Sequence, residues 1–201
     1  MRRKTFDVLL GVGGLVIAAV LVLAGGLLAW GHNFAENNVR NQLTSQQIYF
    51  PTKSEIAAEH NADITKYVTP YAGQQVVNGQ QAEVFANHYI ANHLKEVANG
   101  QTYSQVSETW LGMKPSNPQY ATVTQERQTL FMGETLRGLL LNAYAFGKIG
   151  EIAGIASIVS FIGAVVLLLL AALGFVHARR TSPDTELVEW LNTPADAPAR
   201  S

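Results

Sequence analysis

The residues best suited to chemistry in this chain are its five histidines, and only His88 and His93 lie close enough in one segment to be tried as a metal pair. On a helix each residue turns by about 100°, so a separation of five points them roughly 140° apart, whereas two ligands on one helix need a separation of three or four. His93 and Glu96 have that separation, yet a site would still need two further ligands, drawn from residues such as His32 or His60. The plainer expectation is a hydrogen-bonded His93 on an apolar face with Tyr89 and Val97, and a His88 turned to solvent. The chain has no cysteine, hence no thiolate nucleophile, thiolate metal site or disulfide. No serine stands in a Gly-x-Ser-x-Gly elbow. The glycines of Gly11-Val12-Gly13-Gly14 lie inside an apolar run, where they serve packing and not phosphate binding. These residues predict no catalytic set, no metal and no cofactor. A net charge of −1, with no basic run beyond Arg2-Arg3-Lys4, gives no electrostatic footprint for nucleic acid.

Two apolar stretches must position everything else. Residues 152–176, IAGIASIVSFIGAVVLLLLAALGFV, carry no charge. At about 1.5 Å per residue they cover roughly 37 Å, against about 30 Å of hydrocarbon, so they can cross a bilayer with some tilt. The first stretch, residues 8–30, exceeds the h-region of about 7 to 15 residues in a signal peptide, and bulky Trp30 stands where a cleavage site wants small residues. It is expected to remain as an anchor. Arg2, Arg3 and Lys4 flank one span and Arg179 and Arg180 the other, which by the positive-inside rule puts both termini in the cytoplasm. The expected organisation is a cytoplasmic N-terminus (1–7), a first span (8–30), an extracytoplasmic helical domain (31–151), a second span (152–176) and a largely disordered cytoplasmic tail (177–201). Such a chain belongs in a plasma (inner) membrane, with Trp30, Tyr144 and Phe146 as outer aromatic anchors and Phe175 as an inner one.

Small residues suggest how the spans pair. Steps of four and three from Met132 give Leu136, Leu139, Ala143, Phe146, Gly150, Ala153, Ser157, Ser160, Ala164, Leu167, Ala171, Gly174 and Ala178, a heptad seam through the expected membrane boundary. Before Gly150 the seam is mostly Met, Leu and Phe, which bury area from water; after it, Gly, Ala and Ser allow close backbone approach in lipid. Gly11, Gly14, Ala18, Gly25 and Ala29 form a similar face in the first span, with Leu21 between them. Antiparallel pairing follows, within one chain or with a second copy.

Between the spans the pattern is helical. The first helix is expected to continue through Phe34, Val39 and Leu43 and to stop before Tyr49-Phe50-Pro51. Thr52-Lys53-Ser54-Glu55 and Thr102-Tyr103-Ser104-Gln105 are capping boxes, and turns are expected near Asn61, Thr69-Pro70 and Gly73. Residues 80–98 read as one amphipathic helix with Ala82, Phe85, Ala86, Tyr89, Ile90 and Val97 inward, closed by Asn99-Gly100. Val106, Trp110 and Met113 give the next helix its apolar side, and Asn117-Pro118 launches the long helix that enters the second span. Glu134 with Arg137, and Lys148 with Glu151, have the spacing of surface ion pairs. A binding surface lined by Tyr67, Tyr71, Phe85 and Trp110 is one possibility for the middle domain. The tail carries Asp184, Glu186 and Glu189 around Leu187, Val188, Trp190 and Leu191, either a docking peptide for a cytoplasmic partner or a disordered segment that holds Trp190 at the inner interface.

The opening MRRKTFDVLLGVGGLV and the stretches ANHLKEVANGQTYSQVS and FMGETLRGLLLNAYAF resemble a group of small two-span actinobacterial membrane proteins, and the resemblance covers nearly the whole chain. Members often carry the label aromatic ring-opening dioxygenase. That label implies iron held by two histidines and a carboxylate, in an actinobacterial inner membrane; the resemblance assigns no site residue. The residues themselves predict an all-α, two-span, non-enzymatic protein that acts by association, as a homo-oligomer or an accessory subunit of a cell-envelope complex. The expected partners are the lipid bilayer and another membrane protein or a second copy. The alternatives are an extracytoplasmic module that binds a lipid, peptide or glycan and, more remotely, a metal-dependent ring-opening oxygenase.

Overall fold

The structure is a computed structural model that describes residues 3–180; the acidic tail motif around Trp190 lies outside the described residues. Among the described residues there is no strand, and Tyr49 and Gln75 make an isolated antiparallel bridge. Helix α1 runs Arg3–Ser45 and helix α7 runs Tyr120–Arg180. Both are long and apolar enough to cross a membrane, with mean hydropathy of 2.7 and 2.8 in their most apolar windows. Only 17% and 11% of those windows is buried, so their Leu, Val and Ile side chains face outward, unlike those of a core helix in a water-soluble fold. The chain divides into two compact units, one from residues up to Trp30 and from Ala153 onward, the other Gly31–Ile152.

In the first unit, small residues set the approach of the two helices. Ser157, Ala164, Ala171 and Ala178 are buried at intervals of seven, opposite Gly11, Ala18 and Gly25, also at intervals of seven. That period is the mark of a coiled-coil seam in which close contact replaces the hydrophobic effect. A methyl group on Gly11 would stand 2.9 Å from the Phe175 ring, and one on Gly25 would stand 3.1 Å from the Phe161 ring. Each aromatic ring thus occupies the space its glycine leaves. Ser157 Oγ donates to Gly25 O at 2.8 Å across the pair. Gly14 approaches Ala171, and Ala153, Ser160 and Gly174 are half-buried beside this line.

In the second unit, short helices wrap one face of α1 and α7. Helices α2 (Lys53–Ala58) and α3 (Ala62–Val68) start at Thr52, in a complete capping box with Glu55, and at Asn61, whose side chain accepts from Asp63 and Ile64 N–H. A 3-10 turn at Thr69–Tyr71 and a left-handed Gly73 (φ +72°) return the chain to α4 (Gly79–Val84). The core joins Val39 and Leu43 of α1 to Phe50, Ile56, Ile64, Val68, Val76, Phe85 and Leu140 of α7. A smaller cluster joins Leu94 of α5 (Ala91–Glu96) to Val106 of α6 (Tyr103–Gly112) and Leu130 of α7.

Two expectations need correction. The segment expected as one regular helix over 80–98 contains a π turn at Phe85–Ile90 between α4 and α5. It ends in a reversal through left-handed Ala98, Asn99 and Gly100, of which Ala98 (φ 49°) has no glycine-like freedom. The seam upstream of Gly150 is also displaced. Met132, Leu136, Leu139 and Phe146 are exposed, and burial falls one residue later, at the half-buried Gly133 and Arg137, the buried Leu140 and the half-buried Tyr144 and Gly147. Close approach decides this shift: a methyl group on Gly133 would collide with the Leu94 side chain, and one on Gly79 would stand 3.0 Å from Tyr144 Cα, whereas one on Gly147 would meet the Gly79 backbone at an ordinary 3.4 Å.

Candidate functional site

The π turn determines where the histidines go. Each i→i+5 turn holds an extra residue, which delays the helical phase and carries His88 to the side that faces α3. His88 Nδ1 donates to Asp63 Oδ2 at 3.0 Å, and its ring stacks on Tyr67 at 3.8 Å between centroids. His88 is therefore not turned to solvent as the regular helix predicted. Asn92 Nδ2 donates to the same Asp63 oxygen at 2.7 Å. These bonds, the one from His88 foremost, hold the Asp63 carboxyl below its ordinary range. His93 sits between Tyr89 O at 2.8 Å and Glu59 Oε1 at 3.2 Å. The two histidines tie the π turn and α5 to α3 and to the end of α2.

The iron centre implied by the resemblance does not fit these residues. His88 is committed to Asp63 and Tyr67, and His93 to Tyr89 and Glu59, as two separate pairs. Among the described residues no group of three or more His, Cys, Asp or Glu side chains is placed to hold a metal ion.

The aromatic surface expected from Tyr67, Tyr71, Phe85 and Trp110 does not form. Phe85 is a core residue, edge-on to Phe50, and Tyr71 stacks on that same Phe50. Trp110 instead lies under the Arg127 guanidinium, 4.5 Å from ring centroid to Cζ, and donates from Nε1 to Thr124 Oγ1 at 2.8 Å. Packing of α6 against α7 places it there, away from the aromatic core of α2 to α5.

Two concave features of the Gly31–Ile152 unit differ in charge. A polar cavity of about 340 Å³ is lined by Glu36, Arg40, Asn78, Gln80, Tyr144, Lys148 and Glu151. Lys148 Nζ donates to Glu151 Oε2 at 2.6 Å, which raises the Lys148 pKa. A groove of about 720 Å³ separates α1 from α7. Val39, Leu43, Leu140 and Ala143 form its floor, and its walls include Phe34, Leu136, Leu139 and Phe146 with Asn38, Gln42 and Asn142. No charged residue lines it. The chain matches no family model, no curated protein and no solved structure. Function must therefore be argued from this geometry. Sequence reasoning missed the groove because it assigned Leu136, Leu139 and Phe146 to a closed seam. The available signal was charge placement: Glu134, Arg137, Lys148 and Glu151 all lie off that stripe.

Arg137 shows how the opposite face of α7 is closed. Its Nε donates to Ala86 O at 3.1 Å in the π turn, and its other nitrogens bond Glu134 and Asn87. The expected ion pair with Glu134 exists, but it also anchors the irregular helix to α7.

Proposed function

We infer that this is a two-span membrane protein that acts by association and not by catalysis, as a homo-oligomer or an accessory subunit of a cell-envelope complex, with Gly31–Ile152 displayed outside the cytoplasm of a plasma membrane. The observation that carries the reading is the groove: Leu139, Phe34 and Phe146 are 64%, 55% and 51% exposed together on one uncharged wall. Grouped apolar exposure of this kind marks an interaction surface. The outward-facing Leu, Val and Ile of α1 and α7 support a lipid environment, and the flanking Arg179 and Arg180 support the orientation. Purification of the full chain in mild detergent, followed by crosslinking and mass spectrometry, tests the reading. A recurrent partner or a second copy is expected; a strictly monomeric chain with nothing bound would contradict it.

A second reading, capture of a lipid, peptide or glycan, is supported by the polar cavity beside Arg40 and Lys148. It predicts a stoichiometric small species on the purified chain, released by Arg40→Ala.

A further inference from the structure

We propose that the groove between α1 and α7 is closed by the same groove of a second copy, so that two chains complete a four-helix bundle outside the membrane. This rests on the association reading above and names the partner. Copies that cross one bilayer share an orientation, so their contact is a two-fold one about an axis along the membrane normal, and residues near the axis meet their own counterparts. Such a contact tolerates no charge at its centre, because each charged side chain would face its like. The structure meets that requirement by segregation: Glu36, Arg40, Lys148 and Glu151 line the cavity on the other side, and the groove holds none.

The polar residues of the groove point to the same occupant. Asn38, Gln42 and Asn142 carry side-chain amides, which hold both donors and an acceptor and so can pair with themselves across a two-fold axis. Gln42 Nε2 already donates to Asn38 Oδ1 at 2.6 Å, which presents the amides as a joined pair. An acyl chain in the groove would bury the remaining amide donors and acceptors, those of Asn142 among them, without partners, at a cost in free energy. The apolar lining from α7 has the matching spacing: Leu136, Leu139, Ala143 and Phe146 follow the three-and-four steps of a bundle seam. What the fold of one chain leaves uncovered is thus half of a helical core.

The native chain lacks cysteine, so single-cysteine variants of the full chain report without background. Leu139→Cys and Phe146→Cys, treated with a short bismaleimide in native membranes, are expected to give a species of twice the chain mass, at least tenfold more than Arg40→Cys or Lys148→Cys on the charged side. Leu139→Arg, which places like charges across the axis, is expected to abolish the product from Phe146→Cys while the helical circular dichroism stays unchanged. Adducts of another mass would overturn the second copy and leave the association reading standing. Equal crosslinking from both faces, or a lipid retained stoichiometrically in the groove of a monomer, would overturn the proposal. A monomer without adducts or bound species would overturn both.

Discussion

Helix α7 is packed in two different ways along its length. From Ser157 to Ala178 its buried positions are small and recur every seven residues against Gly11, Ala18 and Gly25. From Leu130 to Gly147 the buried positions are mixed in size, and a row of large apolar residues stays exposed. The first region obtains its fit from small residues, from aromatic rings seated over Gly11 and Gly25 and from the Ser157 bond, the packing expected of helices paired in lipid. On the proposed topology the second lies in water and has a hydrophobic drive to burial, yet it leaves Leu139 and Phe146 uncovered. An apolar row left open in the region where burial is most favourable is better understood as an interface than as a packing failure.

That contrast can be broken by substitution. The largest loss is expected in the closed core: Ile64, 2% exposed, replaced by Ala should cost about 2–5 kcal/mol in denaturant unfolding of the full chain. Leu139→Ala should change the stability of the monomer by less than about 0.5 kcal/mol, and a larger loss would mean the row is structural. In the small-residue region, Gly25→Leu forces Phe161 aside and should cost about 1–3 kcal/mol in a steric-trapping measurement of helix pairing. Ser157→Ala removes the bond to Gly25 O and should cost about 0.6 kcal/mol in the same assay.

The finest test concerns pH. Hydrogen bonds from His88 and Asn92 depress the folded-state pKa of Asp63 below its ordinary 3.8. A depressed carboxylate contributes stability that is present above the ordinary value and is lost as pH falls from there through the folded value. The melting temperature should therefore drop below pH 3.8, with a smaller drop in Asp63→Asn; identical profiles would show that the bonds contribute nothing.

Much of this was legible in the residues. Both long helices, the two capping boxes and the small-residue seam beyond Gly150 could be read from pattern, and the turn expected near Asn61 is the point where Asn61 caps α3. The π turn was not legible, because a phase change in the helix has no residue signature; it coincides with a tertiary bond from Arg137 to Ala86 O that no local pattern announces. The displaced seam was hidden for a related reason. Pattern ranks Leu136 and Leu139 above Gly133 as core, whereas close contact with Leu94 selects the glycine. Tyr67, Tyr71, Phe85 and Trp110 are all aromatic, yet the fold brings only Tyr71 and Phe85 together, on Phe50, and sends Tyr67 to His88 and Trp110 to Arg127.

The most direct measurement is the mass of the particle ejected intact from native membrane vesicles. The account predicts twice the 21.8 kDa chain mass for the native protein, and the single mass for Leu139→Arg. A native particle of the single mass, with nothing else bound, would contradict it.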